Sequence, residues 1–413
     1  MGQLARSEMH MVLDSIRSRE IIMSNVEWSV PVDPMDFGRP VEFGIVDSEG
    51  SSGHHFTSMQ SLYEADSLEA EEHEAAFKTD VSSVEARSVQ ELILRAFPEA
   101  TTRAIKSAIA DTVSALMDVV TTLQGADEKQ MAPVWGTVGE LYIHASNNTA
   151  AALAVIATSS HSSDTSIARR IGEYSANLSF LSVIMSTLQK NAPAVSLQIG
   201  MAGLLHDCSL LLNQEWFQSH YSVNDETQRK KYRKHPIESA DLINGVPGVP
   251  KEVLGLIMET HEQADGSGYP RGLVLGQVRQ GSEILNAADA YLSLTQPVRG
   301  ASYLPSDVIG YLCMQASEGK FCKEAIQLLT RSMSMYPVGS LVELNDQSKA
   351  VVIEGNFDAP LRPVVRVLHS SHEVHDLRTA PLSIFKPLLL KSLQHERIPK
   401  SRFQEILWRT DRE

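Results

Sequence analysis

The sequence predicts a mainly α-helical chain that closes with a small antiparallel sheet. Three observations lead there. Apolar residues recur at three- and four-residue intervals between Val89 and Leu123, short helical patterns separated by Pro, Gly and polar turns follow one another to about residue 334, and β-branched runs appear only after Tyr336-Pro337.

Residues 1–85 mix Pro, Gly, Ser and acid, as in Ser48-Glu-Gly-Ser-Ser-Gly-His-His55 and the acidic run Glu64–Glu74. Such a composition is expected to be disordered or irregular. Residues 86–155 form a helical N-terminal region: Leu92, Ile93, Leu94, Ala96, Ile105, Ile109, Val113, Leu116 and Val120 mark one or two amphipathic helices, and the Ala-rich Leu141–Ile156 continues the pattern. These helices could pack on the next domain or pair with a second subunit as a homodimer. Residues 156–336 are read as one helical domain. Ser163-Asp164-Thr165 offers an N-cap for a helix over Ile167–Leu188, and further helices are expected at 195–206, 236–244, 250–261, 282–296, 305–317 and 322–334. In residues 337–413, Val338–Leu344, Ala350–Ile353 and Pro363–Leu368 read as strands, and Lys386–Glu413, with Lys391, Arg397, Lys400, Arg402 and Arg409, as a basic amphipathic helix.

Composition excludes some functions. A net charge of −15, from 36 basic and 51 acidic residues among 413, argues against a DNA-binding surface, so any nucleotide is expected in a local pocket. Cys208, Cys313 and Cys322 are too few and too scattered for a disulfide framework or a zinc ribbon, and Cys208 reads as a small buried residue. No run approaches the ~18 apolar residues of a membrane span, so a cytoplasmic protein is expected.

The chemistry-bearing residues stand in a fixed order. His206-Asp207 ends the apolar run Ile199–Leu205, Lys234-His235-Pro236 follows, then Thr260-His261-Glu262-Gln-Ala-Asp265-Gly-Ser-Gly268-Tyr269-Pro270, then Ala287-Ala-Asp289-Ala-Tyr291 inside a helical pattern. An adjacent His-Asp can put an imidazole and a carboxylate on one ion, or let the carboxylate bridge two. Two metals held ~3.5–4 Å apart supply a hydroxide nucleophile between them and neutralise the phosphoryl oxygens of a phosphodiester. Imidazole and carboxylate donors together suit iron or manganese, with zinc or nickel further candidates, better than magnesium alone.

This order of motifs, above all Asp265-Gly-Ser-Gly-Tyr-Pro-Arg-Gly-Leu273, resembles the HD-GYP family, a branch of the HD phosphohydrolases, over about residues 160–335. The resemblance implies a helical domain with a two-iron or three-metal centre that hydrolyses the bacterial second messenger cyclic di-GMP to pGpG, and in some members to GMP. It makes Asp207 the bridging carboxylate, with His206 and Asp289 on one metal and His235 and His261 on the other. It also links the Gly-Tyr-Pro loop to contacts with GGDEF-domain proteins. Gly268, Tyr269, Pro270 and Arg271 are candidates for the substrate, Tyr269 through a base stacked on its ring. Arg279 and Arg299 could add phosphate contacts. Glu262 and Asp265 could orient ligand imidazoles or simply cap the turn.

The chain departs from the family at several points. Thr260 replaces the first of two adjacent histidines, the upstream histidine and carboxylate fall on Ile167 and Ser163, and the lysine three residues after the His-Asp pair is Leu210. His161 could stand in for the upstream ligand if the helix began differently. With three protein ligands per metal, counting Asp207 twice, a trinuclear centre is not expected and affinity should fall. Three readings follow: a metal-dependent cyclic di-GMP phosphodiesterase, a catalytically impaired receptor or protein-interaction scaffold of the same fold, and another HD-type nucleotide phosphohydrolase.

Overall fold

The computed structural model describes residues 86–123, 128–159, 166–214, 226–298, 302–368, 373–388, 395–396 and 398. The acidic region 1–85, His161, Ser163–Thr165, Arg299 and most of the basic terminus lie outside the described residues. The helices are α1 (Ala86–Leu94), α2 (Glu99–Thr122), α3 (Glu128–Asn147), α4 (Thr149–Ala157), α5 (Ile167–Leu188), α6 (Pro193–Leu205) and α7 (Cys208–Leu212). Then come α8 (Glu226–Tyr232), α9 (His235–Ile243), α10 (Lys251–Glu259), α11 (Gln280–Thr295), α12 (Pro305–Ser317) and α13 (Lys323–Met333). The strands are β1 (Ser302–Tyr303), β2 (Leu341–Leu344), β3 (Lys349–Glu354), β4 (Val364–Val367), β5 (Val374–Asp376), β6 (Ile384–Leu388) and β7 (His395–Glu396).

Helix α5 is the axis of the helical part. Every residue from Tyr174 to Ser186 is buried, which a helix achieves only when neighbours cover it on all sides, and α2, α3, α6 and α11 do so. Its cap is Ser166, whose hydroxyl accepts the Arg169 amide, directly after the Ser-Asp-Thr run expected to cap it. The contact with α6 is the tightest. A Cβ on Gly203 would stand 3.2 Å from the Ser179 backbone, and one on Gly200 would stand 2.5 Å from Val183 Cγ2, so the two helices approach where small residues meet. The stretch Pro193–Leu212, long and apolar enough to cross a membrane, is this core helix with its short continuation α7.

Two local expectations change. The helix expected from Leu141 begins at Glu128, because Met131, Val134, Trp135 and Val138 bury completely and outweigh the helix-breaking tendency of Pro133 and Gly136. The Trp135 Nε1 donates to the Gly248 carbonyl at 2.8 Å, tying α3 to the turn before α10. The helix then breaks at Asn148, whose φ of −141° is not helical, to give α4.

The sheet is antiparallel in the order β5-β4-β3-β2-β6. Alternation along β2 and β3 sends Val342, Leu344, Ala350 and Val352 to an inner cluster with Val365 and Leu377, while Leu341, Val351 and Ile353 pack on Val89 and Ile93 of α1 and Ala154 of α4. The apolar face of α1 is therefore spent within the chain, and Arg366 Nη1 donates to the Leu92 carbonyl at 2.7 Å. Strand β6 corrects the expectation of a terminal helix from Lys386. Backbone pairing of Leu341–Leu344 with Ile384–Leu388 holds that segment extended, its Pro387 being tolerated because β6 is an edge strand. Strand β7 then runs parallel to β1, back on the helical part.

Gly203 sits against backbone, which cannot swing away as a side chain can. Gly203→Val is expected to cost about 2–3 kcal/mol, read as a lower urea midpoint with an unchanged m-value.

Candidate metal centre

Four element ends and one helix face deliver the donors. His206 caps the C-terminus of α6 and Asp207 precedes α7, His235 opens α9, His261 follows the end of α10, and Asp289 lies within α11. His206, Asp207, His235 and His261 are all buried. One Asp207 oxygen lies 3.2 Å from His206 Nε2, and the other lies 3.4 Å from His235 Nε2. The two Nε2 atoms of His235 and His261 are 2.9 Å apart. Asp289 closes the ring, with Oδ1 3.9 Å from His206 Nε2 and Oδ2 3.5 Å from His261 Nδ1. All five residues expected to bind metal are thus brought together.

The backbone aims two of the imidazoles. His206 Nδ1 lies 2.9 Å from the Gly203 carbonyl and His235 Nδ1 lies 2.8 Å from the Tyr232 carbonyl, each one turn back. An Nδ1 proton donated to a carbonyl turns Nε2 toward the centre, the arrangement that orients histidine ligands. Asp289 is held by Tyr174, whose hydroxyl donates to Oδ1 at 2.5 Å across 115 residues of sequence.

Burial opposes charge on every member, and neighbours decide the outcome. At His206 burial works against the imidazolium, but the Asp207 and Asp289 carboxylates overcome it and raise the pKa to about 9. Burial likewise opposes the Asp207 carboxylate, yet His206, His235 and His261 draw its pKa down to about 2. Burial carries Asp289 up to about 6, with His206 and the Tyr174 hydroxyl resisting. His235 is lowered mainly by burial, and His261 further by burial and by the two other histidines. The centre therefore combines an Asp207–His206 ion pair with two imidazoles kept neutral.

These donors fit a metal ion. Asp207, His235 and His261 each offer a ligand atom, and those atoms lie within 4.8 Å of one another. Nitrogen and carboxylate oxygen around a buried point suit a divalent transition metal. His206 and Asp289 lie beside this trio, His206 Nε2 being 3.2 Å from Asp207 and 3.9 Å from Asp289.

The Gly-Tyr-Pro loop folds back on this centre. The Tyr269 amide donates to the His261 carbonyl at 3.1 Å, and the ring stacks on His261 with centroids 5.0 Å apart. Tyr269 is only 6% exposed, so its ring supports a donor rather than offering an open face to a base. Gly268 is required by close approach: a Cβ there would stand 2.2 Å from the Gln263 nitrogen. Pro270 follows through a cis peptide bond.

The neighbouring polar residues hold the loop rather than the imidazoles. Glu262 accepts the amides of Arg271 at 2.7 Å and Leu273 at 2.8 Å, and Asp265 accepts the Ser267 amide and hydroxyl at 2.9 and 2.6 Å. Arg271 Nη2 lies 2.9 Å from Oε1 of the buried Glu259, which also engages the Arg279 guanidinium, the Arg279 amide at 2.9 Å and the Ser282 hydroxyl at 3.0 Å. Arg271 and Arg279, expected as phosphate contacts, are instead the partners of Glu259.

The departures are filled by other contacts. The Thr260 hydroxyl donates to the Leu256 carbonyl at 3.0 Å, Ile167 packs on the apolar core, and Leu210 is fully buried. Tyr174 and Glu259 were not singled out by sequence. Tyr174 opens the fully buried stretch of α5, but nothing local to it in the sequence points across to Asp289.

Removing the hydroxyl that orients Asp289, by Tyr174→Phe, is expected to lower affinity for added Mn²⁺ by about tenfold with an unchanged melting temperature, as measured by equilibrium dialysis and thermal unfolding. Glu259→Ala is expected to speed amide hydrogen exchange across 262–279 while leaving α5 protected, since the loop loses its common acceptor.

Residues 159–320, which contain all five donors, match the HD domain family, and residues 341–379 match a KOW domain associated with HD domains. A cyclic di-GMP phosphodiesterase of Pseudomonas aeruginosa is 26% identical over 176 residues, 42% of each chain. A 3'3'-cGAMP-specific phosphodiesterase of Vibrio cholerae is 28% identical over 145 residues, 35% of this chain and 33% of that protein. The chain thus matches less than half the length of these two relatives. The solved structure of Bd1817, a HDG"Y"P protein of Bdellovibrio bacteriovorus, aligns over 65% of this chain and 76% of its own with a TM-score of 0.39 and 17% identity. Residues 159–320 are thus an HD domain, and the Gly-Tyr-Pro loop folded onto one of its donors is the feature by which they resemble the HD-GYP family.

Proposed function

We propose that the chain is a metal-dependent phosphodiesterase of cyclic dinucleotides, with cyclic di-GMP as the first substrate to test. The observation that carries this reading is the Asp207 carboxylate, whose two oxygens face two different histidines at 3.2 and 3.4 Å, a placement from which it could be shared between two ions. The names of the relatives support the substrate class.

Metal ions, when bound, supply an acidified water and neutralise charge on the phosphoryl oxygens. The protein's part is positioning. Gly203 and Tyr232 fix the histidine rings, Tyr174 fixes Asp289, and Tyr269 stacks on His261 and shields it from water on that side. Iron or manganese suits the mixed donor set.

A second reading, a receptor that binds the nucleotide without cleaving it, is favoured by Thr260 and Ile167, which leave two usual ligand positions without a donor. One experiment separates the two. Protein purified anaerobically with added iron or manganese is expected to hold about two ions per chain and to linearise cyclic di-GMP, with both properties lost in Asp207→Ala. A folded protein with less than one ion and no turnover would overturn the hydrolase reading in favour of the receptor.

A further inference from the structure

The three histidines of the centre are not aimed in the same way. His206 and His235 each set Nδ1 on the carbonyl one turn back, at 2.9 and 2.8 Å. The ring of His261 makes no hydrogen bond to a carbonyl among the described residues; its nitrogens lie 2.9 Å from His235 Nε2 and 3.5 Å from Asp289 Oδ2. Its main chain is less constrained as well. Helix α10 ends at Glu259 with Thr260 as its cap, so His261 and Glu262 lie beyond the helix. Their carbonyls are held from elsewhere: the Tyr269 amide donates to that of His261 at 3.1 Å, and Asn286 Nδ2 donates to that of Glu262.

Asn286 is out of place by residue type. It stands in α11 between Leu285 and Ala287, both fully buried, and is itself 8% exposed. Asparagine favours a helix interior less than the aliphatic residues around it, and burying its amide costs free energy unless the polar atoms are partnered. Its bond to the loop supplies that partner. Asn286 and Asp289 are three residues apart, hence neighbours on one face of α11. The face that presents Asp289 to the His261 ring therefore also grips the main chain next to His261. A cleft lined by Glu262, Leu275, Val278, Asn286 and Phe321 opens between the loop and α11, so apolar packing does not close the two elements together here and the amide bond spans them.

We propose that Asn286 is a positioning residue of the metal centre. Its bond to the Glu262 carbonyl sets His261 at its distance from Asp289, and does for His261 what the Gly203 and Tyr232 carbonyls do for the other two imidazoles. The proposal rests on the metal-binding part of the reading above and not on the substrate.

The test uses the full chain and Co²⁺, whose visible absorption reports the geometry of its ligands. Asn286→Leu, close in volume but without the donor, is expected to bind Co²⁺ about tenfold more weakly and to change the absorption band of the bound ion. Gln296→Leu is the comparison. Gln296 also ties α11 to its neighbours, accepting from Asn177 at 3.0 Å and donating to the Ile156 carbonyl at 2.7 Å, but it does so about two turns beyond Asp289. Its loss is expected to lower the melting temperature and to leave Co²⁺ affinity and absorption as in the wild type. Wild-type affinity and absorption in Asn286→Leu would overturn the proposal. The same spectral change in Gln296→Leu would overturn it too, by making the Asn286 bond one structural tie among others. Should Asn286→Leu fail to fold, Asn286→Ser decides, since its hydroxyl is too short to reach the carbonyl: weaker Co²⁺ binding upholds the positioning role, and unchanged binding removes it. Wild-type protein that binds no Co²⁺ removes the metal reading and the positioning role together. Co²⁺ binding that depends on Asn286, in a metal-loaded protein that leaves cyclic di-GMP intact, upholds the positioning role and removes the hydrolase reading.

Discussion

The close approach of α5 and α6 is the constraint on which the rest of the molecule depends. Ser179 meets Gly203 backbone to backbone, and the helix axes can stand that near only while both positions stay small. The consequence appears three residues later, where α6 ends and presents His206 and Asp207. Gly203 contributes twice, since its carbonyl also receives the His206 ring nitrogen. A donor held this way inherits the rigidity of the core rather than the freedom of a loop. Tyr174, on the same central helix, reaches Asp289 of α11, so α5 positions both ends of the donor ring without supplying a donor itself.

Two buried polar centres lie side by side, and each makes the other useful. Around Asp207 the imidazoles offset the desolvation of a carboxylate that would otherwise be driven toward its neutral form. Around Glu259 the offset comes from two guanidinium groups, an amide and a hydroxyl. Glu259 ends α10, and His261 is two residues further on. The acceptor that gathers Arg271 and Arg279 therefore sets the path of the loop that returns Tyr269 to His261. A carboxylate outside the donor set thus governs how firmly a donor is backed. Asn286 adds a third tie by donating to the Glu262 carbonyl from α11, the helix that carries Asp289.

Much of this was legible in the sequence, for physical reasons that also explain what was not. The helices over 167–188 and 305–317 were read at their observed limits because an apolar pattern with Ser or Pro at its start is a local property. The first half of α3 was not, because its Pro133 and Gly136 argue against a helix and only the distant cover over Trp135 reverses them. Strand β5 has only three residues and β6 contains proline, so pairing across the sheet rather than propensity creates them. At the site, the five donors could be named because histidine and carboxylate carry their chemistry in their type. Tyr174 and Glu259 could not, since their roles reside in contacts made over 115 and up to 23 residues of sequence. The same holds for Glu262 and Asp265, where residue type permitted two roles and only the fold selects the holding of the loop.

The way the missing ligands are replaced says which half of the centre is the firmer. Thr260 and Ile167 put no new donor in place of the old, and Leu210 no new cation in place of the lysine. Each satisfies its own surroundings instead, by a bond along α10 or by packing in the core. What remains divides unequally. Asp207, His235 and His261 already place their ligand atoms within 4.8 Å, and burial keeps both imidazoles neutral, the form in which nitrogen binds a metal. His206 is drawn instead toward the protonated form by two carboxylates, with Asp289 standing 3.9 Å away. The side backed by Tyr269 and by the Glu259 network is therefore the better prepared, and the Gly-Tyr-Pro loop is kept where it reinforces the stronger half.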